Sequence, residues 1–338
     1  MAVKDPQRLQ MQLFDLLQSV LPENISMVDA LAELLGVSND SVYRRLRAET
    51  AITIEEVAAI CRQYNISFDY LAHLGDSHSV SFAYKPLKTV DDYLRYLVSI
   101  RDDMVRIKQA KNKRIIYAAE DVPLFHNFRT PELTAFKVFY WLNAVVNVDG
   151  LKGNKYDPGL ISDEILNVCN EIYNLYTCIP SIEIWSDVTP SSLLMQIDYF
   201  WQAGFFESNK EALKICDIAC EEFKRIQTEA ETGCKTSADG TPGTEENFTL
   251  YQSDIEVGNN TILVSIENQK ALYLTHNTLN KIVTYNQAFC EETEEWLNVI
   301  IKKSTPLSGV SEKQRHRFFK KILMRLEAIR TSIAQDIT

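Results

Sequence analysis

The segment LAELLGVSNDSVYRRL, residues 31–46, decides how the first part of the chain folds. A small residue, Ala32, stands four positions before Gly36, and Val42 follows six positions after that glycine. Glycine readily adopts the positive φ that a tight turn requires, and alanine lets two helices come close together. The spacing therefore predicts two short helices that cross at a steep angle around Gly36, with Val42 on the buried side of the second helix.

Helical periodicity continues on both sides of this segment. Apolar residues recur every three or four positions, and residues that favour helix caps precede most of these repeats. Pro22 is expected to end the first helix and Asn65 the fourth. Ser67 is expected to open a fifth helix that contains Tyr70 and Leu71. The pattern predicts a compact all-α domain of five helices, the first four lying over about residues 9–20, 27–35, 38–48 and 54–64.

At these residues the sequence resembles the lambda-repressor and Cro type of helix-turn-helix regulator, also called XRE-like, and within it the BetR-type branch. The resemblance is carried by LAELLGVSNDSVYRRLRAET and by the following TIEEVAAICRQYNISFDYL, and it extends over about residues 8–74. One position departs from the family pattern, because Arg45 stands where an apolar residue is usual. The resemblance implies a transcriptional regulator that places its third helix in the major groove of double-stranded DNA.

The third helix supplies the candidate DNA contacts, on the side that faces away from Val42. Arg44 is the leading candidate for a bidentate contact with guanine, whereas Arg45 and Arg47 are expected to bind phosphate. Asp40 either caps the helix or accepts a hydrogen bond from a cytosine amine, and a solvated surface is the alternative account of the arginines. The candidate DNA-binding residues are Ser38, Asn39, Asp40, Ser41, Tyr43, Arg44, Arg45 and Arg47.

The net charge of −11 is distributed unevenly along the chain. It is −5 over residues 1–80, +5 over 81–114, −17 over 115–300 and +6 over 301–338. Salt screens charges that lie more than about 10 Å apart, so a distant acidic region does not prevent DNA binding at a local basic surface. The balance nevertheless predicts weak affinity for DNA of arbitrary sequence.

We predict a mainly α protein whose helix-turn-helix domain, residues 1–75, is followed by an α+β domain with a small antiparallel sheet. Residues 76–112 are expected to form a linker and a basic connecting helix, and residues 113–338 the α+β domain for dimerisation or effector sensing. Its predicted helices lie at about 131–147, 162–176, 190–204, 208–231, 286–302 and 311–334, and its predicted strands at 114–118, 248–256, 260–266 and 270–276.

The sequence contains no recognisable catalytic or metal-binding motif. The seven cysteines include no C-x-x-C pair, and the five histidines never occur at the spacing of metal ligands. Aromatic clusters at 139–141, 199–201 and 205–206 form either core or the wall of a small-molecule pocket. We see neither a signal peptide nor a membrane span. We therefore expect a cytoplasmic protein that is not an enzyme and has no cofactor.

A second candidate site lies near the end of the chain, where serine and glycine residues precede a basic helix. Such a helix start binds an anion or is an ordinary cap, and both interpretations remain open. Its residues are Ser308, Gly309, Ser311, Lys313 and Arg315.

The leading hypothesis is a sequence-specific DNA-binding regulator that pairs as a homodimer and responds to an unknown small-molecule effector. The alternatives are a protein-interaction module and an enzyme with an appended helix-turn-helix.

Overall fold

The chain divides into two compact units, Met1–Phe82 and Ala83–Thr338. The computed structural model describes residues 7–21, 25–64, 66, 68, 80–243 and 246–336. Each unit buries its own set of apolar side chains, so the two are described in turn.

The first unit contains, among its described residues, four helices around one core. They are α1 (Arg8–Val20), α2 (Met27–Leu35), α3 (Asn39–Leu46) and α4 (Ile54–Tyr64). Their apolar stripes meet around Leu13, Leu31 and Val42, which are almost completely buried. These four helices lie where the sequence pattern predicts them. The residues assigned to the remaining helix ends and to a fifth helix, Pro22, Asn65, Ser67, Tyr70 and Leu71, lie outside the described residues.

The second unit is built on one mixed sheet of eight strands. The strands are β1 (Ala83–Tyr84), β2 (Lys113–Ala119), β3 (Ser181–Trp185), β4 (Phe248–Gln252), β5 (Thr261–Ile266), β6 (Gln269–His276), β7 (Asn280–Thr284) and β8 (Thr305–Pro306). They follow the order β1-β7-β6-β5-β2-β3-β4-β8 across the sheet.

The prediction of a small antiparallel sheet is therefore wrong. β2, β3 and β4 pair in parallel, while the other neighbouring strands are antiparallel. Parallel neighbours require long crossover connections, and here those connections contain helices. Of the three strands expected at 248–256, 260–266 and 270–276, the last two pair as antiparallel neighbours, β5 and β6. The first, β4, lies instead between β3 and β8, and the neighbour of β6 on its other side is β7, which the sequence pattern did not predict.

Helices cover both faces of this sheet. They are α5 (Val90–Gln109), α6 (Pro131–Tyr140), α7 (Asp163–Tyr176), α8 (Ser191–Gln202), α9 (Asn209–Thr232), α10 (Gln287–Lys303) and α11 (Glu312–Gln335). Alternate residues of β2 belong to different cores, with Ile115 and Tyr117 in the larger one and Ile116 in the one that α10 closes. The apolar run of β2 is explained by this burial on two sides.

The helix expected to connect the two domains, α5, is an integral part of the second unit. Its residues Tyr93, Leu97 and Met104 are buried in the larger core, and Thr89 caps it through a capping box with Asp92. Within the described residues, no helix is both long enough and apolar enough to cross a membrane.

A network of buried polar side chains lies inside the second unit. The Glu183 carboxylate is fully buried and accepts hydrogen bonds from Trp185 Nε1 at 2.8 Å and from the Tyr176 hydroxyl. His126 Nε2 lies 2.9 Å from the same carboxylate, and Arg225 Nη2 lies 3.3 Å from the other ring nitrogen. Burial alone raises the pKa of Glu183, but His126 and the hydrogen bonds outweigh this effect and hold the pKa below its ordinary value. The carboxylate is therefore held by its partners.

We predict that Glu183→Gln lowers the free energy of unfolding of the second unit by about 2–4 kcal/mol, because it leaves buried partners without a charged acceptor. All four tryptophans lie within this unit, so urea unfolding followed by tryptophan fluorescence measures its stability. Glu295→Gln, which makes the same change on an exposed part of α10, is the control and should alter stability by less than about 0.5 kcal/mol. An equally small effect of Glu183→Gln would contradict the structural role.

Candidate nucleic-acid interface

The turn between α2 and α3 has the geometry that the sequence predicts. Gly36 ends α2 with φ 63° and ψ 36°, a left-handed conformation that favours glycine. The amide of Val37 then donates to the carbonyl of Ala32 at 3.1 Å. Ser38 caps α3, since its hydroxyl accepts a hydrogen bond from the Ser41 amide at 3.4 Å. The direction in which α3 leaves the turn is set by these contacts.

The buried side of α3 rests on the core of the first unit. Val42 is 1% exposed and packs in the same cluster as Leu31 and Ile60. Leu46, one helical turn later, is partly buried against that cluster. The opposite side of the helix is consequently left to solvent.

Most of the sequence-predicted contact residues lie on that solvent side. Tyr43 is 49% exposed, and the side chain of Arg44 has no ion pair or hydrogen bond with any described residue. Arg47 lies 3.2 Å from Glu49, but both side chains are exposed, and such surface pairs contribute little. The exposed members of the predicted set are Ser38, Asn39, Asp40, Tyr43, Arg44 and Arg47, while Ser41 is half-buried.

Arg45 has a different environment from the one expected of a phosphate ligand. Its guanidinium forms a bidentate pair with Glu56 of α4, with Nη2 2.7 Å from Oε1 and Nε 3.2 Å from Oε2. Its Nη1 also donates to the Ser41 carbonyl at 3.1 Å. Only 15% of the side chain is exposed. A bidentate pair of this kind fixes geometry as well as charge, so Arg45 joins α3 to α4.

The pairing with Arg45 also lowers the pKa of Glu56. Burial by itself raises the pKa of the Glu56 carboxyl, but hydrogen bonds from Arg45 and from the Thr53 amide, together with the charge of Arg45, hold the pKa below its ordinary value. The Thr53 amide lies 3.0 Å from Glu56 Oε2, and the Glu56 amide returns a hydrogen bond to the Thr53 hydroxyl at 3.2 Å. These reciprocal bonds form a capping box at the start of α4.

Two further polar side chains position α3, and sequence reasoning missed both roles. Gln10 of α1 is 8% exposed, and its amide nitrogen donates to the carbonyls of Arg45 at 2.7 Å and Thr50 at 2.9 Å. Asn39 Nδ2 donates to Asp29 Oδ1 at 2.9 Å, which ties the start of α3 to α2. The one sequence signal that could have indicated the role of Gln10 is its position on the otherwise apolar side of α1.

The residues of the second candidate site make several contacts within the second unit. The Ser308 hydroxyl accepts a hydrogen bond from the Leu250 amide at 2.9 Å, and the Gly309 amide donates to the Ala230 carbonyl. Arg315 is 3% exposed, and its Nη1 donates to the carbonyls of residues 307 and 309. Ser311 stands before α11 without a side-chain cap, and Lys313 is exposed on its first turn. These contacts fasten the segment before α11 to the rest of the second unit.

Residues 21–71 match the family model described as helix-turn-helix. This segment is a helix-turn-helix domain. The match confirms the assignment made from the sequence for the N-terminal region, and it covers much less than half of the chain. No curated protein matches the chain, and neither does any solved structure.

We predict that Glu56→Gln loosens α3. Because the pKa of Glu56 is lower in the folded unit than in the unfolded chain, the stabilisation is present above about pH 4.5 and is lost as the pH falls below that value. At neutral pH the variant should lower the free energy of local opening by about 1–2 kcal/mol, between the values for surface and buried pairs. Hydrogen exchange of the α3 amides, corrected for intrinsic rates, measures this change.

Glu55→Gln is the matched control, since Glu55 is the exposed neighbour on the same turn of α4. It should leave exchange in α3 unchanged. Equal protection of α3 in both variants would mean that the Arg45 pair does not hold the helix.

Proposed function

We propose that the chain is a sequence-specific DNA-binding regulator of transcription. One observation carries the proposal: α3 presents Tyr43, Arg44 and Arg47 to solvent while Val42 holds its other side against the core. An exposed helix of this kind, in a segment that matches the helix-turn-helix family, has the form that enters the major groove. Regulation of transcription requires access to DNA, so we also propose a cytoplasmic location.

Individual side chains are assigned roles by their surroundings. Arg44 is free to approach a guanine because no described side chain pairs with it. Arg47 directly follows the last residue of α3, and we assign it to a backbone phosphate. Ser38, Asn39 and Asp40 lie on the first turn, where side chains and amides contact the DNA backbone. We reassign Arg45 from phosphate binding to positioning, because Glu56 already occupies its guanidinium.

We further propose that the regulator acts as a homodimer, with the second unit responsible for pairing or for sensing a ligand. The low number of cations in the first unit supports a homodimer. Because residues 1–80 carry a net charge of −5, phosphate attraction contributes little to the DNA affinity of one copy. Two copies on half-sites about 34 Å apart add their contacts. We propose no catalytic role for the chain.

We predict that Arg44→Ala relaxes the sequence preference at one base pair of each half-site, with a loss of about 1–3 kcal/mol of discrimination there. Selection of bound duplexes from a random pool, performed in parallel for the parent and the variant, measures this loss. Arg62→Ala removes the same charge from an exposed position on α4 and should recover the parental motif. Failure of the parent to enrich any motif would overturn the proposed function in favour of a protein-interaction module.

We predict a different result for Arg47→Ala, since a phosphate contact carries no sequence information. The variant should bind all duplexes more weakly, and the slope of log affinity against log salt should fall in magnitude by about one per protomer. Titrations of one selected duplex and one scrambled duplex at several salt concentrations provide the test, with Arg62→Ala again as the control. A changed motif with an unchanged slope would assign Arg47 to base recognition instead.

A further inference from the structure

A partly enclosed pocket lies in the second unit between α5 and the sheet. Its cavity volume is about 80 Å³, and its walls are mostly apolar. Ile100 of α5, Ile262 of β5 and Phe125 of the segment after β2 are among the lining residues. Small organic molecules typically bind where mostly apolar walls surround a few convergent polar groups.

One group of charged and polar side chains in the pocket already forms ion pairs. Lys281 Nζ lies 3.2 Å from Asp103 Oδ2, and the Tyr273 hydroxyl donates to the same oxygen at 3.3 Å. Arg106 pairs with the other oxygen of Asp103. Because two cations share the one carboxylate of Asp103, this group does not attract a further cation.

Asp121 is different, because within the described chain no cation lies within ion-pair distance of its carboxylate. One of its oxygens accepts a hydrogen bond from the Ser192 hydroxyl. The buried ammonium of Lys137 donates instead to Gln196 Oε1 at 2.6 Å and lies over the ring of Trp141. The half-buried carboxylate of Asp121 therefore has no direct ion pair, although its charge still acts on Lys137, and such a carboxylate favours a cation beside it.

Two unpartnered polar groups line the same pocket. Asn260 Oδ1 accepts hydrogen bonds from the amides of Glu120 at 2.9 Å and Asp121 at 3.1 Å, which fixes the side chain and leaves its NH₂ group without an acceptor among the described residues. The Tyr117 side chain is 2% exposed, and its hydroxyl likewise has no hydrogen-bond partner in the described part of the chain. Both groups are therefore available to hydrogen-bond to a polar atom of a ligand.

Aromatic side chains complete the pocket. Tyr117 meets Phe125 edge to face, with ring centroids 6.3 Å apart, and Trp141 also lines the space. Trp141 is the first residue of a π-helix, Trp141–Val145. Single turns of π-helix occur frequently at functional sites, and this one brings an indole into the wall.

We propose that this pocket binds a small aromatic or aliphatic molecule that carries a protonated amine. Asp121 pairs with the amine, Asn260 and Tyr117 hold a polar atom next to it, and the apolar walls enclose the remainder. Its use as an effector site rests on the proposed function, but binding itself does not.

The test compares three probes of similar shape and different charge on the full chain without DNA. They are 2-phenylethylamine, the neutral 2-phenylethanol and the anionic 3-phenylpropanoate, with binding measured by calorimetry. The amine should bind with a Kd below about 1 mM, at least about tenfold more tightly than either of the others. The proposal would be overturned if the amine does not bind at about 1 mM, or if all three probes bind equally well.

Two variants locate the site. Asp121→Asn should weaken amine binding about tenfold and remove the preference over the alcohol, whereas Asp102→Asn, at an exposed position of α5, should change neither. Tyr117→Phe should weaken binding severalfold without lowering stability, since its hydroxyl has no partner to lose; it carries the test if Asp121→Asn does not fold. Unchanged amine binding in a folded Asp121→Asn or in Tyr117→Phe would exclude this pocket.

A second measurement separates the site from its use. Addition of the amine should change the affinity of the parent for a selected duplex, and Asp121→Asn should abolish that change. Amine binding that leaves DNA affinity unaltered would remove the effector role while keeping the site. Absence of DNA binding, with amine binding intact, would refute the proposed function alone.

Discussion

The left-handed turn at Gly36 is the constraint on which the DNA-binding geometry depends. It ends α2 and lets the chain turn into α3, and Val42 then anchors that helix in the core. The turn alone would not fix the exposed face, because an eight-residue helix has little stability of its own. Arg45 with Glu56, and Gln10 with the loop after α3, supply tertiary contacts from α4 and α1. Arg45 is therefore held in tertiary contacts, while its neighbour Arg44 is exposed to solvent.

The sequence was sufficient to predict the first four helices and the turn, since their signals are local. Caps, a glycine and a repeat of three to four apolar positions all act within a few residues. The environment of Arg45 was not predictable in the same way, because its partner lies 11 positions away on another helix. Gln10 bonds to carbonyls 35 and 40 positions further along the chain. Contacts at that separation follow from packing, which no local pattern records.

In the second unit the helices were predicted closely and the sheet was not, for a related reason. The bounds of α7, α9 and α11 differ from the expected ones by a residue or so. The strand order, however, depends on which distant segments pair, and β3 was missed altogether because Glu183 interrupts its apolar pattern. The charge that hid this strand is held by the buried network of His126 and Tyr176. The pocket was not predicted for the same reason, because its residues are distant in the sequence. The amide of Asp121, for example, donates to the side chain of Asn260, 139 positions further along the chain.

The distribution of charge bears on how such a protein distinguishes its site from other DNA. The first unit has six lysines and arginines in residues 1–80, and the pairing of Arg45 with Glu56 removes one of them from contact with phosphate. A residue range with a net charge of −17 follows in the second unit. Both features reduce attraction to any polyanion, and that attraction supplies essentially all of non-specific binding. Hydrogen bonds to base edges are not weakened by this loss of phosphate attraction. A regulator with few free cations therefore binds all DNA less tightly, but the ratio of its specific to its non-specific affinity is higher.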